Sequence, residues 1–355
     1  PVGSMNRRFR ATTRLTPISR KLSKLTICLS VRLARCCLVM PQAVAMYPAD
    51  IRSYVGRFAP SPTGPLHFGS LVAALGSCLE ARVQSGRWLL RIEDVDAPRT
   101  IAGAADTILH QLDALGFEWD GPVEYQSQRL DLYRQALDEL IRRDAAFPCA
   151  CTRRELADST LAADGSRRYP GTCRNGLRPG LLPRAWRLRT QAGVLHWQDA
   201  LQGPQAEDVE RDVGDFVLLR ADGQYAYQLA VVVDDAAQGV SHVVRGADLL
   251  GSTGRQIFLQ QVLGLRVPEY AHLPVATNVA GEKLSKQTLA PAVAPALASR
   301  ALCQAWRFLG QAAPAGLDEA PVREFWQWSL ANWQRARVPR QLAIAVPVDV
   351  LHNAP

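Results

Sequence analysis

The spacing of apolar and polar residues in the first part of the chain body predicts a strand, a helix and a second strand in close succession. An apolar run at 54–58 is followed by a segment rich in proline and glycine at 59–65, which ends the strand. Apolar residues then recur with helical spacing over 66–84, and the next apolar run covers 88–92. Because two strands joined by a helix form a βαβ unit, we expect a parallel sheet.

Two further amphipathic helices are predicted at about 104–115 and 128–143. The regular pattern then stops, since 147–205 is dominated by proline, glycine, arginine and clustered cysteines, as is typical of an inserted subdomain. Regular structure is predicted to resume in apolar runs at 215–219, 227–233 and 240–244, followed by a helix near 252–263.

The last 65 or so residues have a helical pattern and contain four tryptophans, Trp306, Trp326, Trp328 and Trp333. We interpret these tryptophans as anchors in a hydrophobic core. A surface on which nucleic-acid bases stack is the less favoured alternative.

The formal net charge of +8 comes from the N-terminal residues. Residues 1–46 contain nine lysines and arginines and no acidic residue, whereas the rest of the chain contains 32 basic and 33 acidic residues. The body of the protein is therefore close to neutral. Contact with a nucleic acid has to come from a local basic patch and not from the overall charge.

The acid-free segment 1–46 resembles a transit peptide in composition. Arg32 and Arg35 interrupt its apolar run, so that it makes neither a good secretory signal nor a membrane span. We expect a disordered or non-native extension with Met46 as the natural start, and a targeting segment is the alternative. No other segment reaches membrane-spanning length. The five cysteines beyond this segment indicate no disulfide framework, which fits a reducing, cytoplasmic location.

Beyond residue 46 the chain has thirty arginines but only two lysines, Lys283 and Lys286, which lie three residues apart. Lysine carries a compact point charge on a flexible stem, whereas the guanidinium of arginine is a rigid planar fork. The pair therefore indicates a site for a phosphate that shifts during a reaction. An arginine-biased composition that left two lysines by chance is the alternative.

A second candidate anion site lies at the predicted start of the first helix, in His67-Phe-Gly69-Ser70. The start of a helix offers unpaired N–H groups and the positive end of the helix dipole. Glycine lets a ligand approach the backbone, and an imidazole can donate to a phosphate oxygen. Alone this motif is weak, because most such histidines are surface or capping residues.

Together the two motifs are specific. His67-Phe-Gly-Ser70 and Lys283-Leu-Ser-Lys-Gln287 resemble the two signatures of the class I aminoacyl-tRNA synthetases, with Ser70 in place of the second histidine. Over about 54–290 the chain resembles the glutamyl branch of that family. This resemblance is carried by Arg57-Phe-Ala-Pro-Ser-Pro-Thr-Gly64, Arg91-Ile-Glu-Asp-Val-Asp-Ala-Pro-Arg99 and Val244-Arg-Gly-Ala-Asp248.

The resemblance implies an α/β fold: a Rossmann-type parallel-sheet catalytic domain with an inserted zinc-binding subdomain and a short helical C-terminal region. The boundaries that we expect are 1–46 for the N-terminal extension, 47–146 and 206–290 for the two halves of the catalytic domain, 147–205 for the insertion and 291–355 for the C-terminal region.

The reaction that the resemblance implies is activation of glutamate by ATP to glutamyl-adenylate, with Mg²⁺ bound together with ATP. His67, Lys286 and, in an assisting role, Lys283 would stabilise the charge on the phosphates, and Gly69 and Ser70 would complete the ATP site. The implied glutamate-binding residues are Arg57, Phe58, Ala59, Pro60, Ser61, Glu93, Tyr227 and Arg245. Two guanidiniums suit two carboxylates, and Glu93 suits the α-ammonium.

The third constellation consists of Cys149, Cys151 and Cys173, whose thiolates could hold Zn²⁺ if a fourth donor exists. No fourth cysteine or histidine lies close by; His196 is the nearest in sequence. The resemblance implies Tyr169 as the fourth ligand of one structural zinc ion. Three reduced thiols without a metal are the alternative.

Only 69 residues follow Lys286, too few for the helical anticodon-binding region of a full glutamyl enzyme. The chain therefore resembles the truncated paralogues of this branch, which attach glutamate to the queuosine base of tRNA(Asp). The expected partners are ATP, L-glutamate and the anticodon arm of tRNA(Asp), and we expect a monomer without membrane contact. Two alternatives stay open: a minimal enzyme that charges the tRNA 3′ end with a separate partner, and a non-catalytic RNA-binding regulator.

Overall fold

The computed structural model describes residues 53–161, 167–284 and 291–346. Its helices are α1 (Phe68–Val83), α2 (Ala104–Ala114), α3 (Leu130–Arg142), α4 (Val209–Asp212), α5 (Tyr227–Ala237), α6 (Thr253–Leu263), α7 (Ala298–Phe308) and α8 (Val322–Asn332). Its strands are β1 (Val55–Phe58), β2 (Arg87–Ile92), β3 (Glu124–Tyr125), β4 (Ala146–Cys149), β5 (Ala185–Leu188), β6 (Val194–Asp199), β7 (Gly203–Asp208), β8 (Val217–Leu219), β9 (His242–Gly246), β10 (Glu269–Leu273), β11 (Val275–Thr277) and β12 (Ala343–Ala345).

The first strand, helix and strand form the predicted βαβ unit. β1 and β2 pair in parallel, β3 extends the sheet in parallel beside β2, and α1 packs on the pair. Leu71, Leu75 and Leu79, four residues apart on one face of α1, are completely buried. The expected parallel sheet is confirmed, and the helices expected near 104–115, 128–143 and 252–263 correspond to α2, α3 and α6.

A second sheet adjoins the first at β9. It has the order β7-β6-β10-β9, in which β9, β10 and β6 are parallel and only β7 is antiparallel. Ser241, just before β9, donates its backbone N–H to Val55 O at 2.9 Å and accepts the Val55 N–H on its Oγ at 2.8 Å. β9 therefore lies beside β1, and the ends of these two strands meet at one side of the sheet.

The apolar run at 227–233, whose element type the sequence pattern leaves open, forms the first two turns of α5. Leu229 to Val233 are all buried. This part of the helix is therefore apolar on every side, and its sequence shows no alternation of apolar and polar residues. α5 packs against α3 and α6. This packing places the acidic pair that follows the run, Asp234 and Asp235, in the interior.

Between β4 and β8 the chain forms a three-stranded antiparallel sheet of order β4-β5-β8. A small cluster of buried side chains lies here, apart from the main core, and consists of Phe147, Cys149, Tyr169 and Cys173. The cysteine cluster is thus the centre of a local core.

The described C-terminal residues pack on the βαβ unit through α7 and α8, which both contact α1. Trp306 is buried, and Trp326, Trp328 and Trp333 are partly buried against the same core. The indole N–H of Trp326 donates to Leu115 O at 2.9 Å. The tryptophans are core anchors, as expected. Within the described part of the chain, no helix has the length and apolar character needed to cross a membrane.

Candidate active site

A cavity of about 830 Å³ lies where the ends of β1 and β9 meet the start of α1. Residues predicted to bind ATP or glutamate line it: Arg57, Phe58, Ala59, Pro60, Ser61, His67, Gly69, Ser70, Glu93, Tyr227, Arg245 and Lys283. The fold therefore brings these residues together from six separate stretches of sequence. Lys286, the remaining predicted residue of this group, lies outside the described residues.

His67 is the N-cap of α1, at the edge of the cavity. Its Nδ1 accepts the backbone N–H of Ser70 at 3.4 Å, and its Nε2 lies 3.0 Å from Ser70 Oγ. A side chain at position 69 would contact the His67 ring at 3.2 Å and Leu284 O at 3.4 Å. Gly69 therefore lets the helix start, the imidazole and the lysine-bearing segment come close together around a site suited to anions.

Lys283 also lines the cavity. Its Nζ lies 2.5 Å from Asp248 Oδ2, in a partly exposed ion pair. A side chain at Gly246 would collide with the Asp248 carboxylate, so that glycine there makes room for this pair. The ammonium of Lys283 is thus held beside the cavity by a carboxylate.

Arg57, at the end of β1, is buried, and its Nε donates to Asp235 Oδ1 at 3.3 Å. The same oxygen accepts from Arg91 Nη2 at 2.7 Å. Burial disfavours the charged form of Asp235, but Arg57 and Arg91 outweigh burial and lower its pKa. Arg91 is completely buried in ion pairs, and Arg99 pairs with Asp96 at the surface.

Glu93 lies just beyond the end of β2, with its side chain 9% exposed. Arg91 Nη2 is 3.6 Å from its Oε1, and this buried oxygen accepts no hydrogen bond within the described residues. Burial raises the pKa of Glu93, while Arg91 and Arg57 oppose the shift. Tyr227, at the start of α5, also lines the cavity, and burial raises the pKa of its phenol, with a further contribution from Glu93.

Asp234 is a residue that the sequence reasoning missed. It is completely buried and accepts from Arg129 Nε at 2.6 Å, Tyr133 Oη at 2.7 Å and Gln126 Nε2 at 2.8 Å. Arg91 Nε lies 3.8 Å away. Two consecutive aspartates directly after the apolar run 227–233 are the sequence signal that could have indicated a buried ionic centre.

Arg245, in β9, is 4% exposed, and its partners were also missed. Its Nε donates to His272 Nε2 at 3.0 Å and its Nη1 to Gln256 Oε1 at 2.8 Å. Its Nη2 donates to Thr253 Oγ1 at 3.0 Å and to Leu249 O at 3.3 Å. None of the four acceptors is a carboxylate, so that this buried guanidinium has no direct carboxylate partner among the described residues.

Away from the cavity, the sulfur atoms of Cys149, Cys151 and Cys173 lie within 4.8 Å of one another. The hydroxyl of Tyr169 is 3.5 Å from Cys149 Sγ and 3.7 Å from Cys151 Sγ. Arg187 adds positive charge, because its Nε lies 3.4 Å from Cys149 Sγ. Three thiols and a phenol around one point suit a tetrahedral Zn²⁺ site.

A family model described as "tRNA synthetases class I (E and Q), catalytic domain" matches residues 54–300. A protein of Aromatoleum aromaticum named "Glutamyl-Q tRNA(Asp) synthetase" is 62% identical over 83% of this chain and 93% of its own length. One of the same name from Dechloromonas aromatica is 59% identical over 83% of this chain and 98% of its own. The crystal structure of a glutamate-tRNA synthetase from Elizabethkingia anophelis superposes with a TM-score of 0.68 at 24% identity, covering 84% of this chain and 69% of that one.

The chain belongs to the class I tRNA synthetases of the E and Q type. It is an enzyme, a synthetase of the ligase class, as the two signature motifs predicted. The likeness to the Elizabethkingia structure shows that the α/β fold with its parallel sheet is the fold of that class.

Proposed function

We propose that the protein activates L-glutamate with ATP to glutamyl-adenylate and transfers the glutamate to the queuosine base in the anticodon of tRNA(Asp). The observation that carries this proposal is the arrangement of charges in the cavity. Two buried guanidiniums, of Arg57 and Arg245, and the buried carboxylate of Glu93 line the same space as the helix start at His67. Such a space suits a ligand with two carboxylates and one ammonium beside a triphosphate.

The donors of the two arginines suggest different tasks in glutamate binding. Within the described residues Arg57 engages only its Nε, so that both of its Nη groups can face a carboxylate bidentately. Arg245 has four of its five N–H donors engaged and offers one on Nη1. Glu93 would accept the α-ammonium on its unpartnered oxygen, and Tyr227 would add a hydrogen bond.

The proposed first reaction is a displacement at the α-phosphorus of ATP. A substrate α-carboxylate oxygen attacks the phosphorus, the bond to the bridging oxygen breaks, and pyrophosphate leaves. The protein contributes positioning and charge stabilisation. His67, Gly69 and Ser70 would receive phosphate oxygens at the start of α1. Lys283 would leave Asp248 to reach a phosphate, and we assign the same task to Lys286; Mg²⁺ would arrive with ATP.

The choice of acceptor rests on the relatives. Proteins that share 62% and 59% of their residues with this chain are named for glutamyl-Q tRNA(Asp) synthesis, and the chain spans almost their whole length. We therefore propose the anticodon arm of tRNA(Asp) as the RNA partner. A cytoplasmic location belongs to the same proposal, because the RNA substrate is found there.

The test uses the purified full chain with ATP, radiolabelled glutamate and queuosine-containing tRNA(Asp). Label should still be incorporated when the 3′-terminal adenosine of the tRNA has first been removed, a treatment that leaves the queuosine diol intact. Label that disappears with the 3′ end would indicate a charging enzyme instead. Absence of glutamate-dependent ATP–pyrophosphate exchange at high enzyme concentration would indicate a regulator without catalysis.

We also propose that Cys149, Cys151, Cys173 and Tyr169 hold one structural Zn²⁺. The support is the closeness of the four donors around one point and their burial in a local core. Four protein ligands leave no open position, so that the ion would crosslink the segments around 149–151 and 169–173 and take no part in the reaction.

Cys149→Ser is expected to abolish most zinc binding and to lower the midpoint of thermal unfolding by several degrees, because metal binding contributes to folding free energy. Zinc content by metal analysis and a thermal scan check both effects. Cys303→Ser is the matched control, since Cys303 is an equally buried thiol outside the cluster. Equal zinc content in Cys149→Ser and the wild type would contradict the assignment.

A further inference from the structure

Arg245 is connected to a buried carboxylate through an imidazole. Asp199 Oδ2, at the end of β6, lies 2.5 Å from His272 Nδ1, in β10. His272 Nε2 lies 3.0 Å from Arg245 Nε. Asp199 and His272 are completely buried, and 73 residues separate them in sequence. The three side chains form a chain of hydrogen bonds that runs from the protein interior to the cavity wall.

The hydrogen atoms on the His272 ring can be assigned from the groups at the two ends of this hydrogen-bonded chain. The Nε of arginine only donates, so that His272 Nε2 has to be the acceptor and carries no hydrogen. The hydrogen of the neutral ring is then on Nδ1, where it is donated to Asp199. Burial lowers the pKa of His272, and although the hydrogen bond with Asp199 opposes this, Arg245 lowers the pKa further. The ring is therefore the neutral Nδ1–H tautomer.

Asp199 has no freedom to change this arrangement. Its Oδ1 accepts three backbone N–H groups, from Gln202 at 2.8 Å, Leu201 at 3.0 Å and His272 at 3.2 Å. Only Oδ2 is left for the imidazole. Burial works against the ionised form of Asp199, but the hydrogen bonds from His272 and the backbone outweigh burial and lower its pKa.

An imidazole between the two charges has a consequence for substrate binding. A carboxylate at Arg245 Nε would orient the guanidinium but would also neutralise its charge at close range. The neutral imidazole orients the same group and keeps the negative charge of Asp199 one ring further away. Because attraction between charges falls with distance, more of the positive charge of Arg245 remains for an anion in the cavity.

We propose that His272 is the positioning residue of Arg245, and that Asp199 holds His272 in the tautomer that lets Arg245 bind a substrate carboxylate. The proposal rests on the proposed function in taking glutamate as the substrate. It adds two residues, neither of which lines the cavity, to the set that determines recognition of an acidic amino acid.

Asp199→Asn tests the proposal with a nearly isosteric change. The three backbone donors keep the amide oxygen in place of Oδ1, so that the amide nitrogen faces His272 Nδ1 and donates to it. His272 then carries its hydrogen on Nε2, directly opposite the Nε–H of Arg245. We expect KM for glutamate to rise about tenfold to a hundredfold, as when a buried donor loses its acceptor. KM for ATP should stay close to wild type, whereas the midpoint of unfolding should fall by a few degrees, because the same buried donor lacks its acceptor in the substrate-free protein.

Two companion variants separate positioning from simple damage. His272→Gln can present its amide oxygen where Nε2 stands, and it has no tautomer for residue 199 to control. In that background we expect Asp199→Asn to change KM for glutamate by less than about threefold, which makes the two substitutions strongly non-additive. Asp113→Asn, at an exposed site, is the matched control. Additive effects of the two substitutions, or equal changes in the two KM values, would overturn the proposal.

A measurement independent of activity uses ¹⁵N NMR of histidine-labelled protein. The proposal expects the Nδ1–H tautomer for His272 in the wild type and the Nε2–H tautomer in Asp199→Asn. A protonated ring, or no change of tautomer on substitution, would refute it. If the wild type shows no glutamate-dependent exchange, the proposed function fails, and the NMR result still tests the inference.

Discussion

Replacing Glu93 with glutamine is expected to lower kcat/KM for glutamate in ATP–pyrophosphate exchange by roughly a hundredfold. Glu93 Oε1 is buried and accepts no hydrogen bond within the described residues, although two arginines are near enough to influence its pKa. This environment suits a cationic ligand group. Removing one partner of a buried charge pair costs about 2–5 kcal/mol, and 3 kcal/mol corresponds to about a hundredfold.

The effect should be confined to glutamate, with KM for ATP within about twofold of wild type.

The contribution of Glu93 to glutamate binding should also depend on pH. Because burial raises the pKa of Glu93, its carboxylate takes up a proton as the pH falls through that raised value, and the α-ammonium loses its partner. KM for glutamate should therefore rise on acidification in the wild type but not in Glu93→Gln. Glu118→Gln, an exposed change, is the control. A kcat/KM for glutamate that is the same in Glu93→Gln and wild type would contradict the assignment.

Asp234→Asn is expected to have the largest effect on stability, a loss of about 3–5 kcal/mol in the free energy of unfolding. Both carboxylate oxygens of Asp234 accept from donors: Oδ1 from Arg129, and Oδ2 from Gln126 and Tyr133. The amide nitrogen of asparagine would face a donor whichever way it points. Arg91 and Arg129 would lose their shared counter-charge as well.

Thermal or urea-induced unfolding measures this loss, which should lower the unfolding midpoint by about 5–10 °C. Asp138→Asn is the matched control, because Asp138 lies on the exposed face of α3, one turn and a half from Tyr133. The control should unfold within about 1 °C of wild type. A shift in Asp234→Asn no larger than in the control would show that the buried network does not stabilise the fold.

Much of the first βαβ unit could be predicted from the sequence, because the sequence signals for its helix and strands are local. The helical spacing of Leu71, Leu75 and Leu79 and the position of His67 at the helix start depend on residues within a few positions of one another. The resemblance to a known family added the residues that line the cavity. Both kinds of information identify single residues or short motifs.

The hydrogen-bond and ion-pair partners of those residues could not be predicted from the sequence in the same way. Arg91 meets Asp235 across 144 residues, and Gln126 meets Asp234 across 108. Both aspartates follow the run 227–233, whose buried residues are apolar on all sides, so that its sequence shows no period from which a helix could be identified. Only the packing of α5 among α3 and α6 buries the two carboxylates and supplies their guanidinium partners.

The sequence by itself determined which residues are candidates for the chemistry: His67 at the helix start, the lysine-bearing segment at 283, and the cysteine cluster. Tertiary structure alone decided which groups surround the charged residues of the site, for instance that Arg245 meets an imidazole while Arg57 meets a carboxylate. The physical reason is the distance along the chain over which each kind of interaction acts. Helix starts and turns are set by neighbours along the chain, whereas the charge and tautomer of a buried group are set by whatever the fold packs against it.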